Sequence, residues 1–318
     1  MSLSVLLFTI GLILILSAPI SFVLWFNIRR TGLLLAAGAD LVIGLLLVGG
    51  TTASIASRVR PSPPPLTQTL EDGITYRREI RDDPRPLVIH IVSIDLTTAQ
   101  VDFLVTPPEL TGEYHVYAET TCDFIVEHGA FLAINADTFQ PFTARGPYFS
   151  YPQTGDPVRM TGINASEGTR YAGLDDKGML NITRDNQVTF SAHPQQGDLY
   201  NAVSGPLIVE DGEPRTDRQD ELDPRTAAGI AGETLLLVVI DGRQPGYSAG
   251  MTLPELAALF VELGAEYAIN LDGGGSTTLA VADESSERGC RTLNTPVDAG
   301  LIGSMRPVGN HLGVILEE

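Results

Sequence analysis

The residues best suited to chemistry lie in the tract 236–281, where two apolar runs end in Asp241-Gly242 and Asp272-Gly273. The second continues as Gly274-Gly275-Ser276-Thr277-Thr278. Three glycines let backbone amides approach an anion closely, and the hydroxyls behind them add donors. A Gly-rich turn alone is usually just a tight turn, but a carboxylate placed directly before it at a strand end is less common. Asp241 and Asp272 have a second reading, as caps of their own turns. Ser276 lies in a Gly-rich turn that suits binding better than a nucleophile elbow. His90, His115, His128, His193 and His311 are scattered, and none sits in a motif core. His311 adjoins Asn310 and reads as a buried structural histidine.

Asn270-Leu271-Asp272-Gly273-Gly274-Gly275-Ser276 resembles the NLDGGGS signature of the phosphodiester glycosidase family. Asp241-Gly242-Arg243 with Gly246-Tyr247-Ser248 resembles the family's DGR–GYS stretch, and Pro224-Arg225-Thr226-Ala227-Ala228-Gly229 its PRTAIG-like strand. Ser204-Gly205-Pro206-Leu207 and Arg306-Pro307-Val308-Gly309-Asn310 fit as well, while the element from Asn135 through Asp137 to Phe139 matches in part. These elements span roughly residues 130 to 315.

The resemblance implies hydrolysis of a sugar linked through phosphate. Such a substrate needs a cation clamp, for which Arg225 leads and Arg243 and Arg306 follow; for each, a surface ion pair is the ordinary alternative. Breaking the glycosidic bond needs a carboxylic acid and a carboxylate, drawn from Asp137, Asp241 and Asp272. Asn135, Asn270 and Asn310 are then partners for sugar hydroxyls, and the turn Gly273, Gly274, Gly275, Ser276 holds the phosphate. A divalent metal on the aspartates is compatible with the pattern, although no spacing demands one. The expected substrate is a phosphorylated glycan of the cell envelope or an exopolysaccharide. Two rivals stay open: a catalytically silent glycan-binding or assembly module, and a metal-dependent phosphodiesterase that cleaves P–O.

The elements that must position these residues are mostly strands. Residues 87–96 alternate as a strand, with 101–105 as a hairpin partner. A helix over 120–128, ended by Gly129, precedes a buried strand at 131–135. Residues 202–209 read as one strand turning at 210–213, and 226–230 and 234–240 as two more. Residues 252–263 form an amphipathic helix capped by Thr252, with Pro254 and Glu255 in its first turn and Gly264 closing it. A strand at 267–271 leads to the glycines. Strands outnumber helices, which predicts an α+β domain around a mostly antiparallel sheet with flanking helices.

Ahead of this domain, residues 1–50 contain only Arg29, Arg30 and Asp40 as charged side chains. Two apolar runs, 3–26 and 31–50, flank the Asn27-Ile28-Arg29-Arg30 joint and predict a transmembrane helical hairpin over 1–55. A signal peptide followed by one span is the weaker alternative, lacking a basic n-region and a cleavage site. Asp40 should lie opposite Ser17 or Ala18, fixing the packing of the hairpin or contacting a membrane partner. A Pro-rich linker over 56–68 follows, and 69–318 form the working domain. The positive-inside count is close to a tie, because Arg58 and Arg60 offset Arg29 and Arg30. Function therefore places the domain outside the cytoplasm.

Composition narrows the partners. The net charge of −19 is concentrated after the anchor, since Asp40 is the only acidic residue before residue 69. Such a surface repels polyanions, which excludes nucleic acid as a partner. Lys177 is the only lysine. Cys122 and Cys290 fit one disulfide or two inert thiols, and with no CxxC and no Cys/His cluster nothing in the cysteines points to a zinc site.

Overall fold

The structure is a computed structural model. It describes residues 3–28, 31–56, 61–143, 150–172, 177–193, 199–215 and 221–317. The chain divides into two compact units, Met1–Arg60 and Pro61–Glu318.

The first unit is a helix pair, α1 (Leu3–Ile28) and α2 (Thr31–Ala56). Among the described residues α1 alone meets the length and apolarity of a membrane span, over Leu6–Val23; α2 offers a shorter apolar stretch, Ala37–Gly49. Ser17 Oγ donates to Asp40 Oδ2 at 3.2 Å, so Asp40 lies where the antiparallel count expected it. A carboxylate on an apolar helix needs such a partner. Arg29, Arg30, Arg58 and Arg60 fall outside the described residues.

The second unit is built from antiparallel sheets. The largest runs, in spatial order, Leu66–Glu71, Ile74–Arg81, Leu87–Asp95, Thr234–Ile240, Arg225–Ala231, Tyr267–Asn270, Leu207–Glu210 and Glu213–Pro214. A second sheet orders Cys290–Thr292, Leu279–Ala282, Leu132–Asn135, His311–Leu316 and Val101–Val105. A third contains Thr169–Ala172, Ile163–Ser166, Asn201–Ser204, Met179–Ile182 and Val188–Ser191. Two short helices, α3 (Thr121–His128) and α4 (Leu253–Glu262), complete the unit. Both begin with a capping box, at Thr120 with Asp123 and at Thr252 with Glu255. Each box satisfies amide donors that the first helical turn leaves open.

The run Thr234–Ile240 is apolar without alternation because both of its faces are buried. Leu235, Leu237 and Val239 enter a core shared with Val101, Phe103, Leu132, Ile134, Leu312 and Val314 of the second sheet. Leu236, Val238 and Ile240 face the other way, onto Leu256, Leu259 and Phe260 of α4.

Three expectations are corrected here. Val101–Val105 pairs with His311–Leu316, not with Leu87–Asp95. Leu87–Asp95 already has Ile74–Arg81 on one edge and Thr234–Ile240 on the other, so neither edge is open to it. Residues 202–209 are two strands in different sheets, broken at Gly205-Pro206: proline has no amide to donate, and Gly205 presses against the Asn270 carbonyl. The Pro-rich segment is no free spacer in its second half. Ser62 Oγ donates to the Tyr247 carbonyl, Arg78 Nε donates to the Pro64 carbonyl, and the first strand begins at Leu66.

Cys122 and Cys290 form a disulfide with Cα atoms 5.6 Å apart, across a sequence separation of 168. It sits among Phe124, Ile125, Ala130, Ala133 and Ala280, so it ties α3 to the second sheet within an apolar cluster. Closing so long a loop removes entropy from the unfolded chain. Replacing both cysteines by alanine should lower unfolding free energy by up to about 5 kcal/mol in denaturant titrations, and the unsubstituted protein should show no titratable thiol when denatured without reductant.

Candidate active site

The site forms where strand ends from different sheets meet and must satisfy each other's backbone. Asp272 N–H donates to the Ala136 carbonyl at 2.7 Å, Leu271 N–H to Thr226 at 2.8 Å, and Ala136 N–H to Asn310 at 3.1 Å. Asn135, fully buried, completes the join. Its Nδ2 donates to the Asp272 carbonyl at 2.6 Å, and its Oδ1 accepts from Thr226 Oγ1 at 2.7 Å and Thr278 N–H at 3.0 Å. Asn310 acts likewise: Oδ1 accepts from Asp137 N–H at 2.8 Å and Nδ2 donates to Asn164 Oδ1 at 2.9 Å. Both asparagines position the site from behind and are not placed to meet sugar hydroxyls.

Asp241 is placed differently from expectation too. It is 1% exposed and surrounded by four donors. Oδ2 faces His90 Nε2 at 3.0 Å and the Tyr247 hydroxyl at 3.1 Å; Oδ1 accepts from Asn294 Nδ2 at 3.2 Å and Thr295 N–H at 2.8 Å. A carboxylate only accepts, so His90 carries a hydrogen on Nε2, and its Nδ1 lies 2.8 Å from the Tyr76 hydroxyl. Asn294 also donates to the Thr277 carbonyl at 3.2 Å, so the network props the glycine turn without opening onto it.

The turn itself receives cations. Gly274 lies at φ +61°, and a side chain there would meet Arg243 Nη2 at 3.0 Å. A Cβ on Gly275 would run into the Arg306 guanidinium. The amides of Gly274, Ser276 and Thr277 donate to the carbonyls of Pro224, Gly273 and Gly274. These amides are therefore engaged within the protein, and the expected amide cradle is largely replaced by guanidinium groups lying on a glycine surface. Arg306 is held on three sides. Nε and Nη2 contact Asp298 Oδ1 at 2.8 and 2.7 Å, Nη1 donates to Ser276 Oγ at 3.4 Å, and its face lies 4.3 Å from the Phe142 ring centroid. Arg243 is steered by Asp223 at 2.8 Å. Arg225, the leading clamp candidate, instead donates from Nε to the Met251 carbonyl and from Nη2 to that of Glu221, both at 2.9 Å.

Asp137 and Asp272 are the carboxylates that the structure brings together. Asp137 is 2% exposed. Oδ2 accepts from Gly162 N–H at 2.8 Å and Asn164 Nδ2 at 3.0 Å; Oδ1 accepts from Thr138 N–H at 2.7 Å and contacts Lys177 Nζ at 3.2 Å. Lys177 Nζ also reaches Thr138 Oγ1 and Thr161 Oγ1 at 2.6 Å each. Burial pushes the Asp137 carboxyl upward, while the ammonium and the amide donors pull the other way. The Asp272 carboxyl is pushed up to about 6 by burial, with the Asp137 charge adding to the rise and Ser276 and Arg306 opposing it. Asn270 Oδ1 is buried without a hydrogen-bond partner, an acceptor left at the strand end beside Asp272.

Lys177, Asn164, Thr161, Phe142 and Asp298 were not singled out from the sequence as site residues. Lys177 alone carried a signal, as the only lysine, but it lies in no motif. Among the described residues no group of three or more His, Cys, Asp or Glu side chains converges to hold a metal ion.

Removing a buried carboxylate leaves its donors unpaired. Asp241→Ala should therefore lower unfolding free energy by about 3–5 kcal/mol. A catalytic role would instead show as lost turnover at unchanged stability.

With this geometry in place, comparisons with known proteins are informative. A family model described as phosphodiester glycosidase matches residues 128–315. The SPbeta prophage-derived uncharacterized protein YomE of Bacillus subtilis is 30% identical over 113 residues, covering 33% of this chain and 17% of that protein. The chain thus spans only a small part of that relative. The catalytic domain of zebrafish N-acetylglucosamine-1-phosphodiester alpha-N-acetylglucosaminidase, auto-inhibited by its pro-peptide, superposes with a TM-score of 0.57 at 22% identity, over 81% of this chain and 87% of that one. A hypothetical protein from Synechocystis gives a TM-score of 0.53 at 16% identity, over 80% and 64%. The structural likenesses show a shared fold, and the family model covers more than half of the chain, including the Asp272 turn and Arg306. The chain belongs to the phosphodiester glycosidase family.

Proposed function

We propose that the second unit hydrolyses a sugar-1-phosphodiester in a cell-envelope or extracellular glycan, breaking the C–O bond at the sugar. The observation that carries this reading is Asp272, with its carboxyl pushed up to about 6, beside Ser276 and the guanidinium of Arg306. The chemistry divides naturally between them. A phosphate monoester leaves with a second pKa of about 6, so it departs without a strong acid, and the demand falls on stabilising its added negative charge. Arg306 and Arg243, lying on the glycine turn, suit that demand. Attack at the sugar carbon needs a carboxylate, either as nucleophile or as base for water. Asp272 takes that part, with Asp137 held by Lys177 as the second carboxylate of the pair.

The Asp272 assignment has a definite sign in pH. Below about 6 the carboxyl is protonated and cannot attack, so kcat should rise with pH through about 6 and then level off. Asp272→Asn should remove the limb and lower kcat by roughly 10²–10⁴. A limb that falls through the same pH would make Asp272 the acid. Hydrolysis of an N-acetylglucosamine-1-phosphodiester in ¹⁸O-water tests the bond broken: label should enter the sugar. Label in the phosphate would establish P–O cleavage instead.

We further propose that the helix pair α1 and α2 anchors the chain in a membrane, with the second unit outside the cytoplasm. The span-length apolar stretch of α1 supports the anchor, and the Cys122–Cys290 disulfide supports an oxidising compartment. Protease added to intact cells should release a soluble fragment beginning near the Pro-rich segment; full protection would reverse the orientation.

A further inference from the structure

Two apolar side chains that the protein leaves exposed border the Arg306 guanidinium. Phe142 is 43% exposed. One face of its ring carries the guanidinium, 4.3 Å from the centroid, and Phe139 meets the ring edge-on at 6.2 Å.

Leu301 borders the same arginine from another side. The strands Val297–Asp298 and Leu301–Ile302 form a hairpin that turns at Ala299 and Gly300, with φ of +49° and +80°. Positive φ at both central residues marks the tight two-residue turn, which fixes the register of the hairpin. Asp298 and Leu301 are paired directly opposite, so their side chains project from one face. That face meets Arg306, because Asp298 Oδ1 contacts Nε and Nη2 at 2.8 and 2.7 Å. Leu301 stands beside this ion pair and is 49% exposed.

The guanidinium thus lies between two kinds of surface. Its Nη1 faces Ser276, on the side of Asp272, while Nε and Nη2 face the hairpin. These contacts engage three of the five N–H donors of an arginine, and the others suit a phosphate. A phosphodiester held there with its sugar carbon at Asp272 directs its second ester group away from Asp272, toward Phe142 and Leu301. An aliphatic side chain gains from apolar cover and gains nothing from the hydroxyls of a second sugar.

We propose that this second ester group is apolar: the substrate is a glycan whose sugar-1-phosphate is esterified to a lipid alcohol, with the alkyl chain lying over Phe142 and Leu301. The proposal rests on the hydrolase reading above and deepens it by naming the alcohol on the phosphate. The membrane anchor proposed above would hold the enzyme among such lipids.

The butyl and glyceryl esters of N-acetylglucosamine-1-phosphate share sugar and phosphate and differ only in the alcohol. Calorimetry on the full-chain Asp272→Asn protein in lipid nanodiscs, with empty nanodiscs as the blank, measures their affinities without turnover. The butyl ester should bind roughly tenfold more tightly, as about two buried methylenes provide. Added salt should weaken both esters alike and leave that ratio in place. The ratio should shrink in Leu301→Asn and in Phe142→Ala and vanish when both are changed. Loss of support for Arg306 in Phe142→Ala weakens both esters equally, so the ratio still reports the alcohol. Equal affinities for the two esters would overturn the proposal. A ratio undiminished in Leu301→Asn, an exposed position outside the core, would overturn it as well. Turnover is read separately on the unsubstituted protein: failure to hydrolyse either ester would count against the hydrolase reading, while the affinity ratio still decides the apolar contact.

Discussion

Burial of carboxylates is costly, and most of what surrounds Asp137 and Asp272 compensates for that. Burial disfavours the ionised form of each, and the Asp137 charge adds to the rise at Asp272. In a protein with a net −19 the balancing cations must be supplied locally. Lys177 supplies one from the segment after Ala172, bonded directly to Asp137. Arg306 supplies the other through Ser276, and it can lie there because Gly275 has no side chain to displace it. Asp298 and Phe142 then hold the guanidinium in place. At Asp272 these cations do not offset the burial, and its carboxyl stays raised, to about 6.

The scaffold behind these carboxylates is polar for a related reason. Where strands of separate sheets end together, their last amides and carbonyls lose ladder partners and must find others. Asn135 and Asn310 provide both donor and acceptor groups at such ends, and each ties together two or more segments. Asp241, with His90, Tyr76, Tyr247 and Asn294, does the same beneath the glycine turn. A buried network of this kind fixes position only when every member is satisfied. Here Asn135 holds the Asp272 backbone through the carbonyl of that residue.

The disulfide and the apolar helix answer separate physical demands. The bridge lies in its own apolar cluster with Phe124 and Ala280 and stiffens the attachment of α3 to the second sheet. Ser17 meets Asp40 within the helix pair, a pairing that lowers the penalty of a carboxyl group on an apolar helix.

Local pattern alone determined much of this protein. The Thr252 cap fixed one helix start, the run at 234–240 announced a strand, and the Asp272-Gly273-Gly274-Gly275-Ser276 turn marked the candidate site and the family. Such features were legible because capping, β-propensity and close backbone approach depend on near neighbours. Pairing was not legible: Val101–Val105 joined His311–Leu316 while both edges of the neighbouring strand Leu87–Asp95 were taken, which only the whole sheet decides. Roles within the motifs were decided in the same way. Asp241 and Asp272 stand in near-identical strand-end contexts, and one is closed in by four donors while the other faces a guanidinium. Lys177 had no motif to announce it, since its partner Asp137 is forty residues earlier in the chain. Charge, burial and hydrogen-bond supply are properties of the assembled neighbourhood, and no window of sequence contains them.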